Sequence, residues 1–150
     1  MFDPTFEIVL IVVLIVVNGI FSLAEFAMAS SRKARLQKRV DDGDVRATTA
    51  LALFEHPLDF LSTVQIGITL IGVLAGAMGG ATLAGVLAAQ LGRVPMLAGH
   101  ASSIALGVVV LAITFLTLVV GELVPKKLAL QNPEAIISAM ARPMGVLTRV

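Results

Sequence analysis

The sequence predicts an all-α membrane protein: three transmembrane helices with a cytoplasmic helical hairpin and a C-terminal juxtamembrane helix. Three observations lead there. The 150 residues are 57% hydrophobic and only 14% charged, with a mean hydropathy of +0.97, where a globular domain carries about 25% charged residues. The apolar residues are gathered into three long runs, not spread into the narrow stripes of amphipathic helices. The basic residues form two clusters, after the first run and after the third. An up-down-up path therefore puts both clusters on one side of the bilayer, as the positive-inside rule requires.

The first span is expected over residues 6–30. From Ile8 to Ala24 its only polar residues are Asn18 and Ser22, and Glu25 follows before Ser30. That length crosses roughly 30 Å of hydrocarbon at about 1.5 Å per residue. Ala27-Met28-Ala29 mimics a signal-peptide cleavage site, but such a peptide carries its positive charges first. Here Asp3 and Glu7 come first, and Arg32, Lys33, Arg35, Lys38 and Arg39 follow. The N-terminus is then expected outside and this end of the span in the cytoplasm.

Residues 31–58 mix those bases with Asp41, Asp42, Asp44 and Glu55, and Gly43 sits where one helix should stop and another begin. A helical hairpin on the cytoplasmic surface is expected. Asp59, just after Pro57, reads as the N-cap of the next run. The second span is expected over 60–91. It exceeds what a bilayer needs and is punctuated by Gly67, Gly72, Gly76, Gly79, Gly80 and Gly85, so it must tilt, break or pack closely. The link 92–100, with Pro95 and Gly99 as turn residues, belongs outside. The third span, 102–124, returns the chain inside at Lys126 and Lys127. Asn132-Pro133-Glu134 then starts a juxtamembrane helix over 133–150. Its apolar residues Ile136, Ile137, Met140, Met144 and Leu147 recur at helical spacing, so it should lie along the membrane surface or against the spans. The pattern is still running at Val150, and the expectation is one membrane domain, 1–150, with cytoplasmic modules downstream.

Several functions are disfavoured by composition. Cysteine, tryptophan and tyrosine are absent and the net charge is +1, which offers no thiol chemistry and no basic, aromatic surface for nucleic acid. His56 and His100 fall on opposite sides of the expected membrane and neither is paired with a nucleophile. Enzymatic activity is not expected.

Glu122 is the most informative residue, because an acid near the end of an apolar span is expensive unless it faces a cavity, a partner or water. Pro125 lacks an N–H and cannot bond the carbonyl of Gly121, four residues back. A carboxylate beside a free carbonyl is a set of hard oxygen donors suited to Mg²⁺ or Na⁺. The competing reading is an interfacial Glu122 paired with Lys126 at i, i+4. Asn18 and Ser22 share one helical face with Glu25 a turn further on, and could complete an oxygen shell; hydrogen bonding between helices would explain them equally well. In the second span Thr63, Gln65, Gly67 and Thr69 reach the same depth, and an irregular turn at Gly67 would expose carbonyls to the same ion. Gly72, Gly76 and Gly80 form overlapping GxxxG patterns and read as packing or dimerisation residues. Thr114 and Thr117 read as hydroxyls bonded back to their own helix.

These residues carry a resemblance. Asn18-Gly-Ile-Phe-Ser22-Leu-Ala-Glu25-Phe-Ala27, Gln65-Ile-Gly67-Ile-Thr69-Leu, Gly121-Glu-Leu-Val-Pro125-Lys126 and Asn132-Pro-Glu134 resemble the transmembrane domain of the CorC/CNNM magnesium transporter family, including its hemolysin-like bacterial members. The resemblance covers essentially the whole chain. It implies a homodimer in the plasma (inner) membrane, N-terminus outside and C-terminus cytoplasmic, with downstream CBS modules that bind adenine nucleotide. It also implies an inward-facing, dehydrated Mg²⁺ site formed by the side chains of Asn18, Ser22 and Glu122 and the carbonyls of Gly67 and Gly121. The implied activity is Mg²⁺ export coupled to Na⁺. One departure bears on the substrate: many family members have Asn after the second-span glycine, where this chain has Ile68. Gln65 or Thr69 could compensate. Some relatives look like polyamine exporters, so an organic cation is the alternative substrate, and a non-transporting membrane anchor or sensor the alternative role.

Overall fold

The computed structural model describes residues 3–147 and is helical throughout its regular parts. The first helix, α1 (Pro4–Ser30), begins where Asp3 accepts a hydrogen bond from the Thr5 N–H at 2.9 Å and Pro4 supplies a preset φ at the first position. It ends at Ser31, whose backbone is extended. Two short helices, α2 (Lys33–Asp41) and α3 (Val45–Leu53), form the expected hairpin. Gly43 reverses the chain between them at φ +91°, a conformation that L side chains avoid. Asp44 then caps α3 through the N–H groups of Arg46 and Ala47.

The second apolar run is α4 (Pro57–Met78), a π turn over Gly79–Leu83, and α5 (Ala84–Leu91). The third is α6 (Ala101–Leu118), a second π turn over Val119–Leu123, and α7 (Val124–Gln131). After Asn132 comes α8 (Pro133–Leu147), with Asn132 Oδ1 accepting from the Ala135 N–H at 3.4 Å. Three helical segments, Pro4–Ser30, Pro57–Met78 and Ala98–Gln131, are long and apolar enough to cross a bilayer. Val9, Val13 and Val16 of α1, Ile66, Leu70 and Val73 of α4, and Leu111 and Phe115 of α6 are exposed, as lipid-facing positions should be. This is a multi-pass membrane protein.

α1 is the central element and packs against α4, α7, α8 and both π turns. The core lies at the basic end of the bundle, where the end of α1, the hairpin, the start of α4, α7 and α8 converge around Leu36, Phe60, Val64 and Ile137. Ala24, Ala27, Ala47, Ala50, Ala129 and Ala141 are fully buried there, and small residues of this kind let helix backbones approach closely.

Five expectations change. The second run begins at Pro57, not Phe60: Pro57 takes the first helical position, so Asp59 lies in the first turn and does not cap. The irregularity that the long second run allows for falls at the π turn Gly79–Leu83 and not at Gly67: α4 is continuous through Gly67, so the condition for that carbonyl to face an ion is not met. Gly72 and Gly76 meet no neighbour within the chain, so they do not pack against another of its helices. The third run stays helical past Pro125 to Gln131, because the π turn ahead of the proline absorbs the missing hydrogen bond. The buried face of α8 is Ile137, Ala141 and Met144, with Ile136 and Met140 only half-buried, and α8 packs on α3 and α1. The last three residues of the 133–150 helix lie outside the described residues.

Candidate ion site

Three elements meet near the basic end: the face of α1 carrying Asn18 and Ser22, α4 at Gln65 and Ile68, and the π turn Val119–Leu123. Their approach depends on two glycines. A Cβ on Gly19 would sit 3.0 Å from the Val120 carbonyl oxygen and 3.2 Å from Pro125, and one on Gly121 would sit 2.9 Å from Asn18 Nδ2. The π turn is visible in its bonding: the Val124 N–H reaches the Val119 oxygen, five residues back. Pro125, next in sequence, has no N–H to offer the Gly121 carbonyl. Asn18 Nδ2 donates to that oxygen instead, at 3.4 Å.

Asn18 and Ser22 are buried, at 5% and 3% exposure. Asn18 Oδ1 has no hydrogen-bond partner, which is costly for a buried acceptor unless something else satisfies it. Beside it is a cavity of about 280 Å³ lined by Asn18, Ser22, Glu25, Gln65, Gly121 and Glu122, with Phe26 and Ile68 as its apolar wall. At roughly 30 Å³ per water this holds an ion with several waters. Two carboxylates, Glu25 and Glu122, line it together. Glu122 is exposed within the chain, so its carboxylate is accessible from the cavity.

Lys126 does not pair with Glu122. Its Nζ lies over the Phe26 ring, 4.6 Å from the centroid, a cation–π arrangement. Among the described residues no ion pair engages Glu122.

Four of the five anticipated ligand residues, Asn18, Ser22, Gly121 and Glu122, line one cavity, and Gly67 does not. Gly67 instead gives space to Phe21, whose Cε1 would lie 2.8 Å from a Cβ there. Of the polar residues on α4, Gln65 reaches the cavity. Thr63 and Thr69 donate back to the Asp59 and Gln65 carbonyls at 2.8 and 2.9 Å. Glu25, which the sequence places one turn past Ser22 where it could face the same polar cavity, does line it, beside Glu122. A second cavity, about 360 Å³, shares Asn18, Ile68 and Glu122 and runs along α4 and α6 past Gly72, Gly76, Thr114 and Thr117. The glycines leave this groove open, and the threonines line it.

Residues 9–150 match the family model described as the Cyclin M transmembrane N-terminal domain, CNNM. The chain belongs to the CNNM transmembrane-domain family. Among CNNM relatives, the UPF0053 protein sll0260 of Synechocystis sp. is 48% identical over 144 residues, covering 96% of this chain and 32% of that protein. A protein of Haemophilus influenzae named polyamine export protein is 36% identical over 132 residues, covering 86% of this chain and 30% of its own length. The UPF0053 protein YhdP of Bacillus subtilis is 32% identical over 140 residues, 92% of this chain and 31% of that protein. The chain thus spans about a third of the length of these relatives. In this CNNM-family chain the Gly121-Glu-Leu-Val-Pro125 motif runs from the π turn that carries Glu122 into α7, and the Asn18 motif is the helix face that receives it.

Proposed function

We propose that this chain is the transmembrane part of a cation transporter that exports Mg²⁺, with Asn18, Ser22 and Glu122 side chains and the Gly121 carbonyl as ligands. The observation that carries the reading is the unpartnered, buried Asn18 Oδ1 in a cavity shared with two carboxylates. Hard oxygen donors suit Mg²⁺, and a divalent charge offsets the paired carboxylates. The Gly67 carbonyl, inside a continuous helix, is left out of the ligand set. The reading includes Na⁺ coupling, a homodimer, and an orientation with the basic end in the cytoplasm; the cavity would then load from the inside. Downstream CBS-type modules would supply regulation.

A second reading rests on Ile68 and the groove. Where the family resemblance expects Asn, an apolar side chain walls the cavity, and the groove beyond it is lined largely by apolar residues. That shape fits an aliphatic polyamine with one ammonium on Glu122, and a relative is named polyamine export protein. Reconstitution in liposomes separates the two. Mg²⁺ flux reported by a Mg²⁺-sensitive dye under a Na⁺ gradient, abolished by Glu122→Ala, supports the first. Putrescine flux with no Mg²⁺ flux supports the second, and no flux of either supports a membrane anchor.

A further inference from the structure

The ion cavity has a mouth. Glu25 and Gln65 line the cavity, and the same two side chains line an open recess of about 470 Å³ on its flank, walled otherwise by Leu61, Ser62 and Ile66 of α4. Among the described residues no other is common to the two hollows, so the passage between them runs between Glu25 of α1 and Gln65 of α4. Ser62 and Gln65 lie about 8 and 12 Å along α4 from Pro57, its first residue. The recess is therefore near the basic end of the bundle, within reach of water.

Exposure falls from this mouth inward. Ser62, Gln65 and Ile66 are exposed, Glu25 is half-buried, and Ser22 and Asn18 are buried. Along the axis of α1, Ser22 lies about 4.5 Å and Asn18 about 10 Å further in than Glu25. The unpartnered Asn18 Oδ1 ends the series.

The mouth side chains are uncommitted. Among the described residues no ion pair engages Glu25, and neither its carboxylate nor the Gln65 amide makes a hydrogen bond. Thr63 and Thr69, on the same helix, turn their hydroxyls back to its carbonyls. Lys126 does not neutralise the mouth either, because it is held over Phe26. A carboxylate in an apolar span that serves no ion pair and no helix contact is costly unless it serves a mobile charge.

The chemistry of the mouth differs from that of the site behind it. Mg²⁺ gives up its octahedral water shell reluctantly, and six waters at roughly 30 Å³ each occupy about 180 Å³, which the recess accommodates. One carboxylate beside a neutral amide and a hydroxyl can hold such an ion through its waters, without the ligand count that would strip it. A fixed negative charge at the entrance of a low-dielectric cavity also raises the local cation concentration and the association rate. We propose that Glu25, with Ser62 and Gln65, is an entry station that captures the hydrated cation and passes it to Asn18, Ser22 and Glu122. This rests on the cation-transport reading of those three residues.

Two measurements on the full chain test it. In the first, Mg²⁺ flux into liposomes is followed against Mg²⁺ concentration. Glu25→Gln should raise KM about tenfold and keep the maximal flux within about twofold, whereas Glu122→Gln abolishes flux at every concentration. An unchanged KM, or a maximal flux lost as in Glu122→Gln, overturns the entry role. The second needs no transport. The chain has no cysteine, so Gln65→Cys and, separately, Ser62→Cys each carry a sole thiol. Relative to their rates with a free thiol, a cationic methanethiosulfonate should modify it about tenfold faster than an anionic one. Mg²⁺ should slow the cationic reagent, and adding Glu25→Gln should abolish the preference. No reaction with either reagent, equal relative rates, or a preference that survives Glu25→Gln overturns the proposal. If the wild-type chain moves no Mg²⁺ while the Glu25-dependent preference stands, the transport reading fails and the capture carboxylate is upheld.

Discussion

Asn18 Nδ2 donates to the carbonyl oxygen of Gly121 at 3.4 Å, joining the first span to the third across the backbone position that Pro125 cannot serve. The contact is tight enough to forbid a side chain on the glycine. Gly121→Ala would place its methyl 2.9 Å from Nδ2 and 3.6 Å from the Ile15 carbonyl oxygen, so Asn18 or α1 must move. The expected outcome is a loss of about 1–3 kcal/mol of stability, typical of overpacking, together with loss of cation-dependent thermal stabilisation. Asn18→Leu should lose the cation response as well. Differential scanning fluorimetry with and without Mg²⁺ measures both effects, and an unchanged Mg²⁺ response in Gly121→Ala would remove Asn18 from the ligand set.

Ile68 should set substrate preference. It lines both the cavity and the groove, so Ile68→Asn adds an oxygen donor facing Glu122 and removes apolar wall. The variant should bind Mg²⁺ more tightly and putrescine more weakly than wild type, each by roughly tenfold, or about 1.4 kcal/mol. Competition of the two cations for protection against unfolding reads the ratio directly. No change in that ratio would separate Ile68 from selectivity.

Much of this arrangement could be read before any coordinates, and the reason differs from residue to residue. Long apolar runs announce spans because composition alone decides partition into lipid. Gly43 and Asn132-Pro133 mark boundaries because their backbone demands are local. Pro125 identified the carbonyl that loses its helical partner, but not Asn18 as the group that takes it. The π turns were illegible, since Gly79–Leu83 and Val119–Leu123 follow from how helices pack rather than from propensity. Gly72 and Gly76 read as packing residues because a small-residue stripe looks the same in sequence whether a helix or open space lies against it. In the sequence Glu7 is only an acid ahead of the first apolar run; its burial against Thr82 needs the tertiary fold.

The hairpin carries a pH response. The Arg39 guanidinium, hydrogen-bonded to Asp44 Oδ2 at 3.1 and 2.8 Å, holds the Asp44 carboxyl below its usual 3.8, helped by the N–H groups of Arg46 and Ala47. A lowered folded-state value means stability that is fully present above the ordinary value and lost as pH falls through the lowered one. Amide exchange in α2 and α3 should therefore be insensitive to Asp44 protonation at pH 5–7 and accelerate below about pH 4 beyond the intrinsic trend. Asp44→Asn should remove that acid-dependent component. A variant that keeps the wild-type acid response would assign it to another carboxylate.

The last expectation concerns how α8 is held to the bundle. Glu134 is 6% exposed, and its Oε1 accepts from the Arg32 backbone N–H at 3.2 Å, where α1 gives way to α2. Arg35 approaches the same oxygen at 3.9 Å, but its side chain is 64% exposed, so solvent screens that pair and it contributes about 0–1 kcal/mol. The backbone contact is the stronger one, because without Glu134 the Arg32 N–H loses its partner in a part-buried position. Glu134→Ala should cost about 1–3 kcal/mol and increase proteolysis between Gln131 and Pro133, whereas Arg35→Ala should leave both nearly unchanged. Equal effects from the two substitutions would show that the ion pair, not the backbone hydrogen bond, fastens α8 to the first span.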